Sequence, residues 1–266
     1  MPTNVPTVSI ITATFNSVDT VGECLSSIRA QTHTNIESIV VDGASTDGTQ
    51  ALIQRNFADV VRHMISEPDD GIYDALNKGI NASTGDIIGL LHSDDVLAAP
   101  DVIEGIANAF SDPRIDAVYG DLVYVSRNDP EQVIRYWKSS HFHRSLLHRG
   151  WMPPHPTLYL RRSLLDRIGL FDTNYAIAAD YDHVLRIFQV TGISTRYLPR
   201  VLVKMKVGGA SNKSFANVLQ KSREDLRALH QNHVGGLPTL LMKNISKVGQ
   251  FFTRATRQPA PTGRHM

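Results

Sequence analysis

The chain has 266 residues, 42% hydrophobic and 20% charged, with a formal net charge of +1. That length buries a full core without staples, and the composition excludes wholesale disorder. A near-zero net charge provides no global field to recruit nucleic acid, and the single cysteine, Cys24, excludes an internal disulfide framework and a Cys-based zinc site.

In chain order, VSIITA at 8–13 reads as a short buried strand, and 19–31 follows with Val21, Leu25 and Ile28 at helical spacing. A second apolar run, 36–41, ends at Asp42-Gly43. Residues 46–57 read as a helix with Thr46 or Asp47 as its cap. A strand over 60–66, a helix over 72–82 and a strand over 86–91 follow, the last ending in His92-Ser93-Asp94-Asp95. A helix over 100–111 has Pro100 in its first turn. Alternating strands and helices predict a parallel sheet with helices on both faces. Polar groups gather just after the strand ends: Thr14 and Asn16, Asp42, 67–70, Asp94 and Asp95. Ligands of open α/β sheets bind at that edge.

Near residue 115 the pattern changes. Runs at 117–119, 122–126 and 133–137 read as short strands of an α+β half, and 141–156 as a loop rich in His and Pro. Helices are expected over 163–169 and 178–190, strands over 194–198 and 201–206, and helices over 212–232 and 238–254. The segment Gly208-Gly209-Ala210-Ser211-Asn212 reads as a flexible cover for a ligand or as the cap of the next helix. Six positive charges and no acidic residue lie after Asp225, so residues 1–225 carry −5 of the whole-chain +1. In this tail Leu237, Leu240, Leu241, Ile245, Val248, Phe251 and Phe252 form a helical stripe with Lys243, Lys247 and Arg254 opposite. Two readings follow: an interfacial helix on an anionic membrane, or a helix packed on the domain with its basic residues in water. No run reaches the roughly 18 apolar residues of a membrane span, and the N-terminus lacks a basic leader. A cytoplasmic location, or one on the inner face of the plasma membrane, is expected.

Asp94-Asp95 suits a hard divalent cation, held by one or two carboxylates and substrate phosphates, or else a helix-capping turn. Asp42 suits a ribose or base, or else a turn. Asp180 reads equally as the N-cap of a helix over 181–190. His141, His143, His148 and His155 make a zinc site conceivable, against a mobile loop. No GxGxxG follows the first strand and no GxxxxGK[ST] occurs, which disfavours a dinucleotide oxidoreductase and a P-loop NTPase.

The series VSIITATFN, VVDGASTDGT, SEPDDGIYDALNKGI, ASTGDIIGLLHSDD and AADYDHVLRI resembles family 2 glycosyltransferases of the GT-A fold, in the family's order over residues 7–200. The third segment, EPDDGIYDALNKG, resembles a subgroup acting on bacterial surface polysaccharides of the colanic-acid type. The resemblance implies an α/β fold: a Rossmann-like, mostly parallel donor half (1–115), a continuous α+β acceptor half (116–210) and a helical tail (211–266). It implies that Thr12, Thr14 and Asn16 line the nucleotide pocket and that Asp42 contacts base or ribose. Asp70 to Lys78 would pass over the donor diphosphate. Ser93-Asp94-Asp95 would be the metal motif for Mn²⁺ or Mg²⁺, and Asp180 the general base. His155 would lie on the acceptor side, and Asp182 is the rival of Asp180, since i and i+2 do not share a helix face.

Three positions depart from the family pattern. His92 stands where many members have the first Asp of the metal motif, Leu76 where many carry an Arg, and Ala179 where the Glu before Asp180 is usual. The function implied is metal-dependent, inverting transfer of a sugar from a UDP or GDP donor to a glycan or lipid-linked glycan. The alternatives are a sugar-nucleotide pyrophosphorylase, disfavoured by the loop Thr14-Phe15-Asn16-Ser17, and a nucleotide-sugar-binding subunit without catalysis.

Overall fold

The computed structural model describes residues 5–207 and 215–248. One sheet organises the chain, with strand order β3-β2-β1-β4-β8-β6-β9-β5 and β7 paired to β6. The first half is β1 (Val8–Thr14), α1 (Val21–Arg29), β2 (Ile36–Asp42), α2 (Thr49–Asn56), β3 (Val61–Ser66), α3 (Ile72–Ala82) and β4 (Ile87–Leu90). β1 pairs in parallel with β2 and β4, and β2 with β3. Every residue of β1 is buried, as expected of a strand covered on both faces.

The second half adds β5 (Asp95–Leu97), α4 (Val102–Ala109), β6 (Ala117–Val125), β7 (Val133–Trp137), β8 (Tyr159–Arg161), α5 (Arg162–Ile168), α6 (Ala179–Gln189), β9 (Thr195–Lys206), α7 (Phe215–Gln231) and α8 (Leu237–Val248). Its pairings are mostly antiparallel, except that β6 and β9 run parallel. Two cores sandwich the sheet. One packs α3, α6 and the C-terminal helices on one face, the other packs α1 and α4 on the opposite face. Both cores run the length of the sheet, so the two halves share one interior.

Several elements differ from the sequence reading. The pairs of strands expected at 117–126 and 194–206 are each one strand, β6 and β9, whose mutual register shifts near Gly120 and Asp121. An irregularity of that kind interrupts the apolar alternation without ending the strand. β5 and β8 are only three residues long, too short for periodicity to reveal. The loop 141–156 contains a 3₁₀ turn at Arg144–Arg149. The N-cap of α2 is Gly48, at φ 98°, although Asp47 still accepts a hydrogen bond from Thr49 N at 3.0 Å. The segment 208–212 and the tail beyond 248 lie outside the described residues.

Candidate active site

The carboxyl edge of the sheet opens into a long cleft, lined from one half by Thr14, Asn16, Asp69, His92 and Asp94 and from the other by His155 and Asp180. Strand ends, loops and the first turn of α6 all deliver side chains to it, as the alternating topology requires.

The most connected group is a line of three side chains. His155 Nδ1 lies 3.2 Å from Asp180 Oδ2, and His155 Nε2 lies 3.3 Å from His92 Nε2. Burial pushes the Asp180 carboxyl up, but nearby His155, Lys221 and Lys243 outweigh it and leave Asp180 below the usual carboxylate range. Burial also disfavours the charged imidazoles, lowering His155 and bringing His92 to about 4. These directions fix the tautomers. An ionised carboxylate only accepts, so His155 Nδ1–H donates to Asp180. A neutral His155 then accepts at Nε2, and His92 Nε2–H donates to it.

Asp180 is not the cap of its helix, as the sequence allowed, but stands inside the first turn of α6. The N-cap position of α6 is Ala178, which has no side-chain cap. Glu224 from α7 accepts hydrogen bonds from the backbone N–H groups of Ala176 (3.3 Å), Ile177 (2.8 Å) and Ala178 (2.9 Å) instead. Tyr73 OH donates to Ile177 O at 2.6 Å and approaches Asp180 Oδ1 at 3.5 Å. Asp182 faces away from the cleft: it accepts from Arg186 Nε at 2.8 Å and Asn232 Nδ2 at 2.7 Å. The helical period thus separates the two aspartates. His183, next along, lines the cleft, but burial holds it neutral at about 3 and Gly169 O takes its Nε2 at 3.1 Å.

On the donor side, the turn that ends at Asp94 and the strand that begins at Asp95 split the carboxylate pair expected at 94–95. Asp94 is half-buried, lines the cleft and accepts no hydrogen bond from the described residues. Asp95 opens β5 and is fully buried, off the cleft, with neither carboxylate oxygen partnered. Burial first, then the neighbouring Asp94, raise its carboxyl well above the usual range. Thr12 is likewise fully buried, its Oγ1 unpartnered and off the cleft.

Asp42 sits at the end of β2 with no exposed surface. It accepts hydrogen bonds from Thr14 Oγ1 (3.1 Å), Ser45 N (3.0 Å), Ser45 Oγ, Gln50 Nε2 (2.9 Å) and Ser66 Oγ (2.9 Å). A carboxylate offers about four lone-pair sites, so Asp42 has no capacity left for a ribose. Those hydrogen bonds overcome the burial that would raise it, and its carboxyl lies below the usual range. Asn16 stays on the cleft in left-handed backbone, φ 47°, where asparagine is tolerated. Its Oδ1 accepts from Thr46 N at 3.0 Å.

The segment 70–78 also turns differently from expectation. Asp69, not Asp70, faces the cleft. Gly43 permits this, because a Cβ there would lie 2.5 Å from Asp69 Oδ2. Lys78 is off the cleft, paired with Glu67 at 2.9 Å and Asp74 at 3.2 Å. Leu76 and Ile80 take the cleft-facing positions of α3. Positive charge enters from the other half: Arg127, Arg135, Lys206 and Lys221 line the cleft. Periodicity could not reveal them, since they lie 30 to 130 residues from the donor-side motifs. Of the four clustered histidines only His155 reaches the cleft; His141 packs edge-on against Tyr197, and His143 and His148 are exposed. No group of three or more His, Cys, Asp or Glu side chains among the described residues is placed to hold a metal by itself.

Comparison with known proteins was made on this geometry. Residues 9–169 match the family model described as glycosyl transferase family 2. A "PGL/p-HBAD biosynthesis glycosyltransferase" of Mycobacterium bovis (strain BCG / Pasteur 1173P2) is 32% identical over 211 residues, 78% of this chain and 80% of the relative. An uncharacterized glycosyltransferase of Rickettsia prowazekii is 30% identical over 236 residues, 83% of this chain and 70% of the relative. Among solved structures, the mannosyltransferase PcManGT from Pyrobaculum calidifontis, in complex with GDP-Man and Mn²⁺, superposes with TM-score 0.64 and 21% identity, over 92% of this chain and 70% of that one. S. aureus TarS 1-349 in complex with UDP-GlcNAc gives TM-score 0.68 and 16% identity, over 86% of this chain and 66% of that one.

Proposed function

Because the chain belongs to glycosyl transferase family 2 and has the GT-A fold, we propose that this glycosyltransferase inverts the anomeric centre of a UDP- or GDP-linked sugar, with Asp180 as base. The acceptor is a hydroxyl of a glycan or lipid-linked glycan in surface-polysaccharide synthesis, and residues 1–115 and 116–210 supply the donor and acceptor sides.

The observation that carries this reading is Asp180 itself. It is an ionised carboxylate on the cleft, in the first turn of α6 and held by a neutral His155. In the transfer, the acceptor oxygen attacks C1 of the donor sugar as the C1–O bond to the diphosphate breaks. Asp180 takes the acceptor's proton, and the nucleoside diphosphate leaves on the opposite face. His155 keeps the carboxylate oriented and His92 in turn fixes the His155 ring, as an outer partner does for a catalytic group. Arg127, Arg135, Lys206 and Lys221 provide a positive wall for the diphosphate. Asn16 and Thr14 line the donor end.

The residues fit a divalent cation shared with the donor. Asp94 offers one unspent carboxylate to the cleft, and Mg²⁺-type ions are commonly held by one or two carboxylates plus substrate phosphates and water. When bound, Mn²⁺ or Mg²⁺ would offset the negative charge developing on the diphosphate. The neighbouring fold that holds GDP-Man with Mn²⁺ supports this choice.

A thermal-shift screen of UDP, GDP, CMP and dTDP and their sugars, with Mn²⁺ and with EDTA, tests the donor side. A metal-dependent rise in melting temperature from one diphosphate series is the expected result. Asp180→Asn then separates an enzyme from a binding subunit: the enzyme keeps that shift and loses turnover.

A further inference from the structure

α8 is amphipathic in the reverse sense to the one its sequence suggests. Its central cation, Lys243, is buried, 2.7 Å from Asp225 and 3.2 Å above the Tyr181 ring. Its apolar residues point outward: Leu237, Leu241 and Ile245, four apart, are 62%, 61% and 68% exposed, with Met242 beside them. Four-residue spacing places the three in one stripe. On α7, Val218 and Leu219 are also exposed, directly before Gln220 and Lys221, which line the cleft. α7, which packs on α8, thus reaches the acceptor side of the site.

The charge around this face has one sign. α8 packs on the 3₁₀ turn Arg144–Arg149. The approach is so close that Gly150, at φ 71°, would bring a Cβ to 2.4 Å from Lys243 Cβ. Arg144, His148 and Arg149 on that turn are exposed. No acidic residue occurs between Glu131 and Asp166 or after Asp225, while the sequence from 247 onward adds Lys247, Arg254, Arg257 and Arg264.

We propose that this face docks on an anionic lipid bilayer, with Leu237, Leu241 and Ile245 entering the headgroup–acyl boundary and Arg144 and Arg149 meeting the lipid phosphates. An apolar stripe bordered by Lys and Arg is the signature of an interfacial helix. Charge decides the occupant: a second copy would bring two positive surfaces together, whereas an anionic bilayer complements them. The proposal extends the lipid-linked acceptor of the proposed function, since docking would bring such an acceptor to the cleft beside α7.

The test is flotation of the full chain with vesicles of phosphatidylcholine, with and without phosphatidylglycerol. The chain should float with the phosphatidylglycerol vesicles, and high salt should release it. Leu241→Ser/Ile245→Ser and Arg144→Glu/Arg149→Glu, both surface changes, should each weaken binding by about tenfold or more. A wild-type chain that stays unbound overturns the proposal, as does either variant floating like wild type. Sedimentation velocity supplies the remaining outcome: a concentration-dependent dimer abolished by Leu241→Ser/Ile245→Ser would make the stripe a self-interface and also overturn it. The nucleotide thermal shift, run on the same samples, keeps the two readings apart. Lost flotation with an intact shift removes the docking alone, and an absent shift with intact flotation removes the donor reading alone.

Discussion

The two sides of the cleft handle their carboxylates in opposite ways. At the parallel end, Asp42 is saturated by five hydrogen-bond donors, Lys78 is taken up by Glu67 and Asp74, and Asp95 is buried off the cleft. Asp94 combines a place on the cleft with oxygens that no described residue bonds. At the antiparallel end, Glu224 takes the backbone N–H groups that lead into α6, and Asp180 faces the cleft against His155. A polar residue at a strand end is thus a poor guide to a site. What matters is the hydrogen-bonding capacity that remains after the fold has used its share.

The largest effect should come from breaking the antiparallel end. Asp180→Asn should lower kcat by about 10²- to 10⁴-fold, with the donor-induced melting shift unchanged; rapid-quench single-turnover assays would check this, and an equal loss of donor binding would remove Asp180 from the base role. Next comes the support beneath it. Lys243→Met leaves the buried Asp225 with Lys221, 3.8 Å away, as its remaining cation, so urea unfolding should show a loss of up to about 3–5 kcal/mol. Lys243→Met/Asp225→Leu should restore much of that loss, because both charges are then gone.

At the donor end the neighbouring aspartates should separate cleanly. Asp94→Asn should abolish the Mn²⁺ dependence of nucleoside diphosphate binding in calorimetry, whereas Asp95→Asn should keep it. Asp95 also has a pH signature. Its folded carboxyl holds a proton well above the unfolded value of about 4, so above that pH the folded state binds more protons than the unfolded one. Stability from this group therefore falls as pH rises past about 4, until the folded-state value is passed. Asp95→Asn should flatten that decline and raise stability at pH 7, measurable by urea titration across pH. The smallest effect belongs to Asp42→Asn, which should change donor affinity by less than about tenfold while lowering the melting temperature, because its partners are protein groups.

The strand–helix alternation of residues 8–109 was legible in the sequence because buried parallel strands are continuous apolar runs and the helices between them keep a 3.6-residue stripe. The resemblance of five motifs carried the family, and Asp94, Asn16, His155 and Asp180 all lie on the cleft. Tertiary structure decided how each polar group is used. Asp180 meets His155 only because α6 is packed against the segment that carries that histidine, and Asp95 is drawn away from Asp94 by the strand pairing of β5 with β9. The positive wall comes from Arg127, Arg135, Lys206 and Lys221, which only the closed sheet brings opposite the donor motifs. The outward stripe of α8 likewise exists because Asp225 and Tyr181 offered Lys243 a partner inside. Local sequence determines periodicity, and so the elements; the hydrogen-bond and charge partners of each side chain are set by long-range packing, which no local pattern encodes.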